Sequence, residues 1–279
     1  MRLKNAARYF DTCPVYDGYS GAYLFKVQAS TFMEAAAEGS VSVRRTLSLD
    51  PALTLPAHSV VTVLGDRYVT GEVNSDEWGG EAIRKTCWVR KVSDYFSVTT
   101  PQQLLTGSTG YNLYAQKRQL KEVSTLSSSD LENYWEASLS TNSTVGKGAI
   151  LKSGTSYFRV RLTYRDVDGF LTCCLDQLQY VPVDAAVGTG KTYDPITDSY
   201  VGTSTTVKCL PVDYNIMYDK QTQADFSVAQ GDICLLLPLE ANPSTGLTLS
   251  ISSTNLLGEW RVLNAVKELD AWNVHVRRV

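Results

Sequence analysis

Histidine is nearly absent from this chain, with only His58 and His275 in 279 residues. Two imidazoles cannot make a three-histidine zinc centre, and neither stands in an HExxH pattern. GxSxG is missing as well, which removes the nucleophile elbow of an α/β-hydrolase. The six cysteines, Cys13, Cys87, Cys173, Cys174, Cys209 and Cys234, form no CxxC pair. A chain of this size does not need a disulfide framework, so they read as reduced, mostly buried small apolar side chains made in cytosol. No apolar run reaches about 18 residues, so no membrane-spanning helix is expected. The opening MRLKNAARYF is basic but has no apolar stretch behind it, unlike a secretory signal. Charge of one sign is not in excess either. The 26 Lys and Arg against 29 Asp and Glu leave −3, which argues against a general nucleic-acid binder.

What is present is an ordinary globular composition, 43% apolar and 20% charged, in a chain long enough for two or three domains. Its most informative feature is a repeat. YDGYSGAY (16–23), LTL (53–55), LGDRYV (64–69) and VRKV (89–92) recur in the same order as YDPITDSY (193–200), LTL (247–249), LGEWRV (257–262) and VRRV (276–279). Four motifs in register indicate duplication of a small β-domain, and duplication of this kind points to a building part rather than an enzyme.

The spacing of apolar residues predicts a mainly β fold: two related small β-barrels with an inserted α+β segment. Residues 1–100 form the first barrel, 101–182 the insert, 183–192 a linker and 193–279 the second barrel. Gly65-Asp66 is expected to turn a hairpin between 60–64 and 67–70. An alanine-rich piece, 32–38, has the look of a helical turn stopped by Gly39. Within the insert, 114–123 and 129–137 read as helices, the second with a capping box, Ser129 to Glu132. A hairpin follows, with Phe158, Val160, Leu162 and Tyr164 alternating with Arg159, Arg161, Thr163 and Arg165, and Asp166 to Gly169 as its turn. The small residues of 183–192 read as flexible, and 213–231 is a polar stretch too long for an ordinary turn.

Candidate chemistry is sparse. Gly188 to Thr192 fits a relaxed phosphate-loop pattern, but Pro195 and the β-branched residues after it argue against the helix that such a loop needs. A nucleotide-using enzyme is therefore disfavoured. Asp166 and Asp168 beside Gly169 lack the remaining ligands of a calcium loop and read as a hairpin turn. Asn142-Ser143-Thr144 matches a glycosylation acceptor by chance. Cys173-Cys174 reads as a buried strand pair and His275 as a packed or surface strand position. Arg159, Arg161 and Arg165 form a basic stripe, by default a solvated strand face and alternatively a face toward DNA or an acidic partner. Arg44-Arg45 and Arg277-Arg278 are shorter pairs of the same kind. No catalytic, cofactor-binding or metal-binding residue is assigned, and no cofactor is expected.

The second repeat carries YDPxTDSY, a strand, a long polar loop ending in AQGD (229–232), then LTL, LGEWRV and a closing VxVRR. In this order they resemble head–tail joining proteins of tailed bacteriophages, of the head-closure or stopper type. The likeness covers about 190–279; the first repeat matches through fewer landmarks. The resemblance implies a β-barrel that assembles with itself into a ring, commonly of six, in the virion neck between head and tail, after synthesis in the host cytoplasm. It implies a portal or adaptor protein on one side and a tail or tail-terminator protein on the other, with transient contact to packaged DNA and no membrane partner. It also implies that the loop 213–231, with Asp213, Asp219, Lys220 and Asp225, lines or plugs the channel. A tail-side terminator or collar protein with similar barrels, and a carbohydrate- or surface-binding β protein, remain as alternatives.

Overall fold

Alternation of buried and exposed side chains, the mark of strands with one face on a core, runs through nearly all of the computed structural model, which describes residues 12–28, 45–55, 59–119, 134–194, 199–213, 231–253 and 255–279. The strands fall into three sets of six. The first comprises β1 (Thr12–Asp17), β2 (Tyr23–Gln28), β3 (Arg45–Leu49), β4 (Val60–Val63), β5 (Asp66–Trp78) and β6 (Glu81–Lys91). The second comprises β7 (Asp94–Thr99), β8 (Tyr111–Gln119), β9 (Tyr134–Leu139), β10 (Ile150–Ser153), β11 (Ser156–Arg165) and β12 (Leu171–Leu178), with a short helix α1 (Pro101–Thr106) after β7. The third comprises β13 (Val183–Asp194), β14 (Ser199–Val212), β15 (Ile233–Leu237), β16 (Thr248–Ile251), β17 (Gly258–Lys267) and β18 (Trp272–Arg278). The chain is thus mainly β, with two closed six-stranded barrels and one further six-stranded sheet.

The closed barrels are the second and third sets. When each set is lettered a to f in chain order, the first sheet reads b-a-d-e-f-c, and both closed barrels read b-a-d-e-f-c with c pairing back to b. The middle segment, expected as an α+β insert, is therefore a third copy of one topology. In the first sheet the end strands β2 and β3 approach one another, but no ladder joins them among the described residues.

By contacts the chain divides into two compact units. One holds Met1–Phe96, Asn112–Lys147 and Val160–Leu175; the other holds Ser97–Tyr111, Gly148–Arg159 and Asp176–Val279. In the first unit, Val15, Leu47, Val61, Tyr68 and Val89 belong to the core of the first sheet. In the second, Val187, Leu235, Leu249, Trp260 and Val274 belong to the core of the C-terminal barrel. All five residues of β15 are buried. Leu235 faces that core, while Leu236 joins a second cluster with Leu105 of α1, Ile150 and Leu178.

One packing device recurs in all three sets. An aliphatic residue on strand d stands across from an aromatic residue on strand e: Val61 and Tyr68, Leu151 and Phe158, Leu249 and Trp260. All six are buried, and such cross-strand pairs are the elementary unit of sheet stabilisation. The turns before them differ. Leu64-Gly65 and Gly154-Thr155 are two-residue turns, whereas 252–257 intervene between Ile251 and Gly258. Leu64 and Gly65 both adopt positive φ, 51° and 85°, as a tight I′ turn requires. The letter match of LGDRYV with LGEWRV is consequently one residue out of step with the ladders, because Tyr68 stands with Trp260 and not with Arg261.

Several expectations need correction. Residues 114–119 lie in β8 and 134–137 in β9, not in helices. Gln, Lys and Arg favour helix intrinsically, but burial of Leu113, Ala115, Ala137 and Leu139 gives a period of two that overrides that preference. The capping box at Ser129, the rest of both stretches and the alanine-rich piece lie outside the described residues. The one capping box that is described joins Thr100 and Gln103, with Pro101 opening α1. The expected linker 183–192 is strand β13, paired with β14 along its length and bulged between Gly188 and Gly190. Its Ala185 is small because it shares a barrel interior with Trp260. A strand here also lacks the helix that a phosphate loop requires.

All six cysteines are free, and all but Cys174 are buried. Burial pushes the thiols of Cys87, Cys173, Cys209 and Cys234 from the ordinary 9.0 up to about 12. The folded chain holds these protons more tightly than the unfolded chain. Their contribution to stability is therefore complete below about pH 9 and is lost as pH rises toward about 12. Thermal midpoints should fall steadily over that window, and a thiol reagent at neutral pH should modify Cys174 ahead of the other five. Trp260→Ala should destabilise by about 3–5 kcal/mol in urea unfolding, whereas Arg261→Ala, exposed one residue further on, should stay within about 0.5 kcal/mol. The reverse order would refute the ladder alignment.

Candidate functional site

The e–f hairpin of the middle set ends in Asp166-Val167-Asp168-Gly169-Phe170, and its fold follows from local hydrogen bonding. Asp166 Oδ1 accepts from the backbone N–H groups of Asp168 and Phe170, each at 3.0 Å. Gly169 takes φ 78°, a conformation that disfavours any side chain. The turn thus expected from sequence is present, and within the first unit it has a partner that the sequence reading missed. Arg90 Nη1 lies 2.7 Å from Asp166 Oδ2, and Nη2 lies 2.9 Å from Asp168 Oδ2. Nη1 also donates to Ser138 Oγ at 2.7 Å, and the guanidinium sits 4.1 Å from the centre of the Phe170 ring.

The contact is close enough to dictate residue type. A Cβ on Gly71 would lie 2.3 Å from the Asp168 carbonyl oxygen, and one on Gly169 would lie 2.3 Å from Glu72 Cβ. Phe170 packs with Val60, Val69 and Trp88. Side-chain exposure is 16% for Arg90, 16% for Asp166 and 5% for Asp168, so each charge is largely out of water and depends on the other two. Both carboxylates are engaged by a cation already inside the chain, and among the described residues no group of three or more His, Cys, Asp or Glu could hold a metal ion.

Ladder register identifies the counterpart of Arg90 in the C-terminal barrel. Tyr68 pairs with Lys91 and Trp260 with Arg278, so Arg277 corresponds to Arg90 and Arg278 to Lys91. Arg277 Nε and Nη2 donate to Asp232 Oδ1 and Oδ2 at 2.8 and 2.9 Å, and His275 Nε2 lies 3.0 Å from Asp232 Oδ2. His275 is buried, the packed one of the two strand positions that the sequence left open.

The e–f hairpins share a second property. Each tip exposes one large apolar residue between acids: Trp78 (79% exposed) between Glu77 and Glu81, Val167 (93%) between Asp166 and Asp168, and Leu269 (90%) between Glu268 and Asp270. The N-terminal hairpin reaches furthest. Along 74–84 no residue is buried, Ile83 is 59% exposed, and Asp76 pairs with Arg84 at 2.8 Å. Separately, in the same unit, Tyr19 and Tyr95 flank Tyr114, with ring centres 5.1 and 4.6 Å away, and Arg67 stacks on Tyr114 at 4.9 Å.

The residues singled out from sequence are scattered. Arg159 and Arg161 are half-buried, and Arg165 is exposed and donates to Thr141 Oγ1 at 2.5 Å. The stripe is therefore not a uniformly solvated face. Asp213 follows β14, and burial raises its carboxyl above the usual range. Asp219, Lys220, Asp225, His58 and Arg44 lie outside the described residues, while Arg45 donates to Tyr68 Oη at 2.6 Å. The signals that could have revealed the joint were VRKV, read only as a landmark, and an exposed apolar residue with acids near it at each of three hairpin tips.

Arg90→Ala leaves Asp166 and Asp168 without their cation and should destabilise by about 3–5 kcal/mol in urea unfolding. Lys91→Ala, which removes an exposed pair with Asp66, should change stability by no more than about 1 kcal/mol. Equal effects would mean that the joint carries no special weight.

A scan of protein-family models, a search of curated proteins and a search of solved structures each found no match to this chain.

Proposed function

We propose that this chain is a structural protein of a tailed-phage neck. It assembles with itself into a ring, joins the portal or adaptor to the tail and closes or gates the DNA channel, without enzymatic activity. The observation that carries this reading is the placement of the head-closure-like landmarks. LTL falls at the start of β16, LGEWRV at the start of β17 and VxVRR at the end of β18, within one closed six-stranded barrel, the fold that the resemblance implies. Three tandem copies of one strand order, two of them closed barrels, suit a building part, because repeated modules offer repeated contact surfaces. A net charge of −3 suits a channel that DNA must cross without being held by its phosphates. A tail-side terminator or collar is the nearest variant of the same reading.

The exposed tyrosines around Tyr114 favour a second reading, a carbohydrate- or surface-binding β protein, since aromatic faces stack on apolar ligand surfaces. Negative-stain images and mass photometry of the purified protein should show a ring of about six copies with a central hole. Monomers alone up to micromolar concentration, with no copy in purified virions, would sink the neck reading; binding on a glycan array together with that result would establish the second.

A further inference from the structure

We propose that the tyrosine cluster of the first unit, Tyr19 and Tyr95 about Tyr114, is a binding site for a neutral sugar chain, with pyranose rings stacked on Tyr19 and Tyr95. This site rests on the carbohydrate-binding reading and names the ligand class and the residues for it; ring assembly is not required.

The platform is built before any ligand arrives. Asp17 Oδ1 accepts from the backbone N–H groups of Tyr19 and Ser20 at 3.0 and 2.6 Å and from Ser20 Oγ at 2.8 Å. These bonds fix the turn that carries Tyr19. The turn is pressed onto β4, since a Cβ on Gly18 would lie 2.5 Å from Val60 Cγ1. From the middle set, the Tyr114 N–H donates to Tyr19 Oη at 3.3 Å, and Tyr114 packs against Val60, Val69 and Phe170. Arg67 ties the two parts together. Its Nε donates to the Gly18 carbonyl at 2.9 Å, while its guanidinium stacks on the Tyr114 ring. A site that needs no ordering on binding keeps more of its contact energy as affinity.

Packing does not use up the rings. Tyr19 and Tyr95 each remain 46% exposed, although both touch Tyr114. Tyr16 and Tyr23 are exposed as well, but they are direct ladder partners, and cross-strand pairing accounts for them. Tyr19 stands in a turn and Tyr95 on β7, so no strand pairing accounts for their meeting at Tyr114.

Charge around the rings selects the ligand. Lys91 is paired with Asp66 at 2.8 Å and Lys117 with Asp94 at 2.5 Å. Arg67, Lys91 and Lys117 are offset by Asp17, Asp66 and Asp94, so these groups offer no surplus charge to a phosphate or a carboxylate. The ligand that fits is uncharged, with a C–H face for the ring and hydroxyls for the rim, and a pyranose has both. Burial holds the Tyr19 hydroxyl above its usual range. It therefore stays protonated at neutral pH and can donate to a sugar hydroxyl while it accepts from Tyr114. A side chain with an apolar body and a polar tip suits such a contact.

The test uses the full chain, with isothermal titration calorimetry against maltohexaose, cellohexaose and chitohexaose, and with oligothymidylate as a charged rival for stacking. At least one of the sugars should bind, with an affinity that changes little between low and high salt. Tyr19→Ala and Tyr95→Ala should each weaken it about fivefold or more. Tyr95→Phe, which keeps the ring face, should lose less than either, and Tyr16→Ala should match the wild type. Unchanged urea midpoints would show that the variants fold. If a sugar binds and neither alanine variant weakens it, the sugar sits elsewhere; this proposal then fails while the carbohydrate reading stands. If oligothymidylate binds more tightly than the sugars, and its binding falls with salt and with Tyr95→Ala, the rings serve bases and the proposal is overturned. If none of the three sugars binds, the proposal fails, and the carbohydrate reading falls with it only if the glycan array is blank as well.

Discussion

A guanidinium held away from water must have its hydrogen bonds and charge met by the protein, and Arg90 is met by Asp166, Asp168, Ser138 and the face of Phe170. Much of the first unit follows from that requirement. The carboxylates reach Arg90 only because the hairpin backbone comes down on β5, and that approach is possible only because Gly71 and Gly169 have no Cβ. Phe170 then covers Val60 and Val69 on the outer side of the first sheet. Removing one partner of a buried charge cluster leaves the others desolvated and unpaired, so breaking the cluster costs more than its presence adds in net stability.

The three strand sets solve the problem of filling a small core in the same way. One aromatic from strand e fills the space, and one aliphatic on strand d stands opposite it. Around that pair the sequence is free to drift. The C-terminal copy tolerates a longer d–e turn, and the middle copy replaces Tyr68 by Phe158 without altering the ladder. Small residues accompany the largest aromatic, as Ala185 does Trp260, because interior volume is fixed by strand number.

Part of this was legible in the sequence. Alternation announced β11, and the Asp-x-Asp-Gly turn was read correctly because its side chains bond their own backbone. The strand expected at 60–64 stands, one residue shorter, as β4, and the turn is Leu64-Gly65 in place of the expected Gly65-Asp66. The first and third copies were found through shared letters, whereas the middle copy shares ladder positions and burial but few letters. Gln116, Lys117 and Arg118 suggested a helix because their intrinsic preference is local, while the strand that contains them is fixed by Leu113 and Ala115 facing a core. The linker was misread for a related reason, since Ala185, Gly188 and Gly190 are small through packing and a bulge rather than through looseness. The Arg90 joint left only faint marks in the sequence. Its members lie some eighty positions apart, and nothing local to Arg90 distinguishes it from Lys91.

The three sets differ in one respect that topology alone would not suggest. The closed barrels have a ladder between strands b and c, whereas β2 and β3 come close without one among the described residues. A closed tube has its circumference fixed by strand number and stagger, so it can widen only by breaking backbone hydrogen bonds. Among the described residues no ladder ties β2 to β3, so there the curvature of the first sheet can change while its five ladders stay whole.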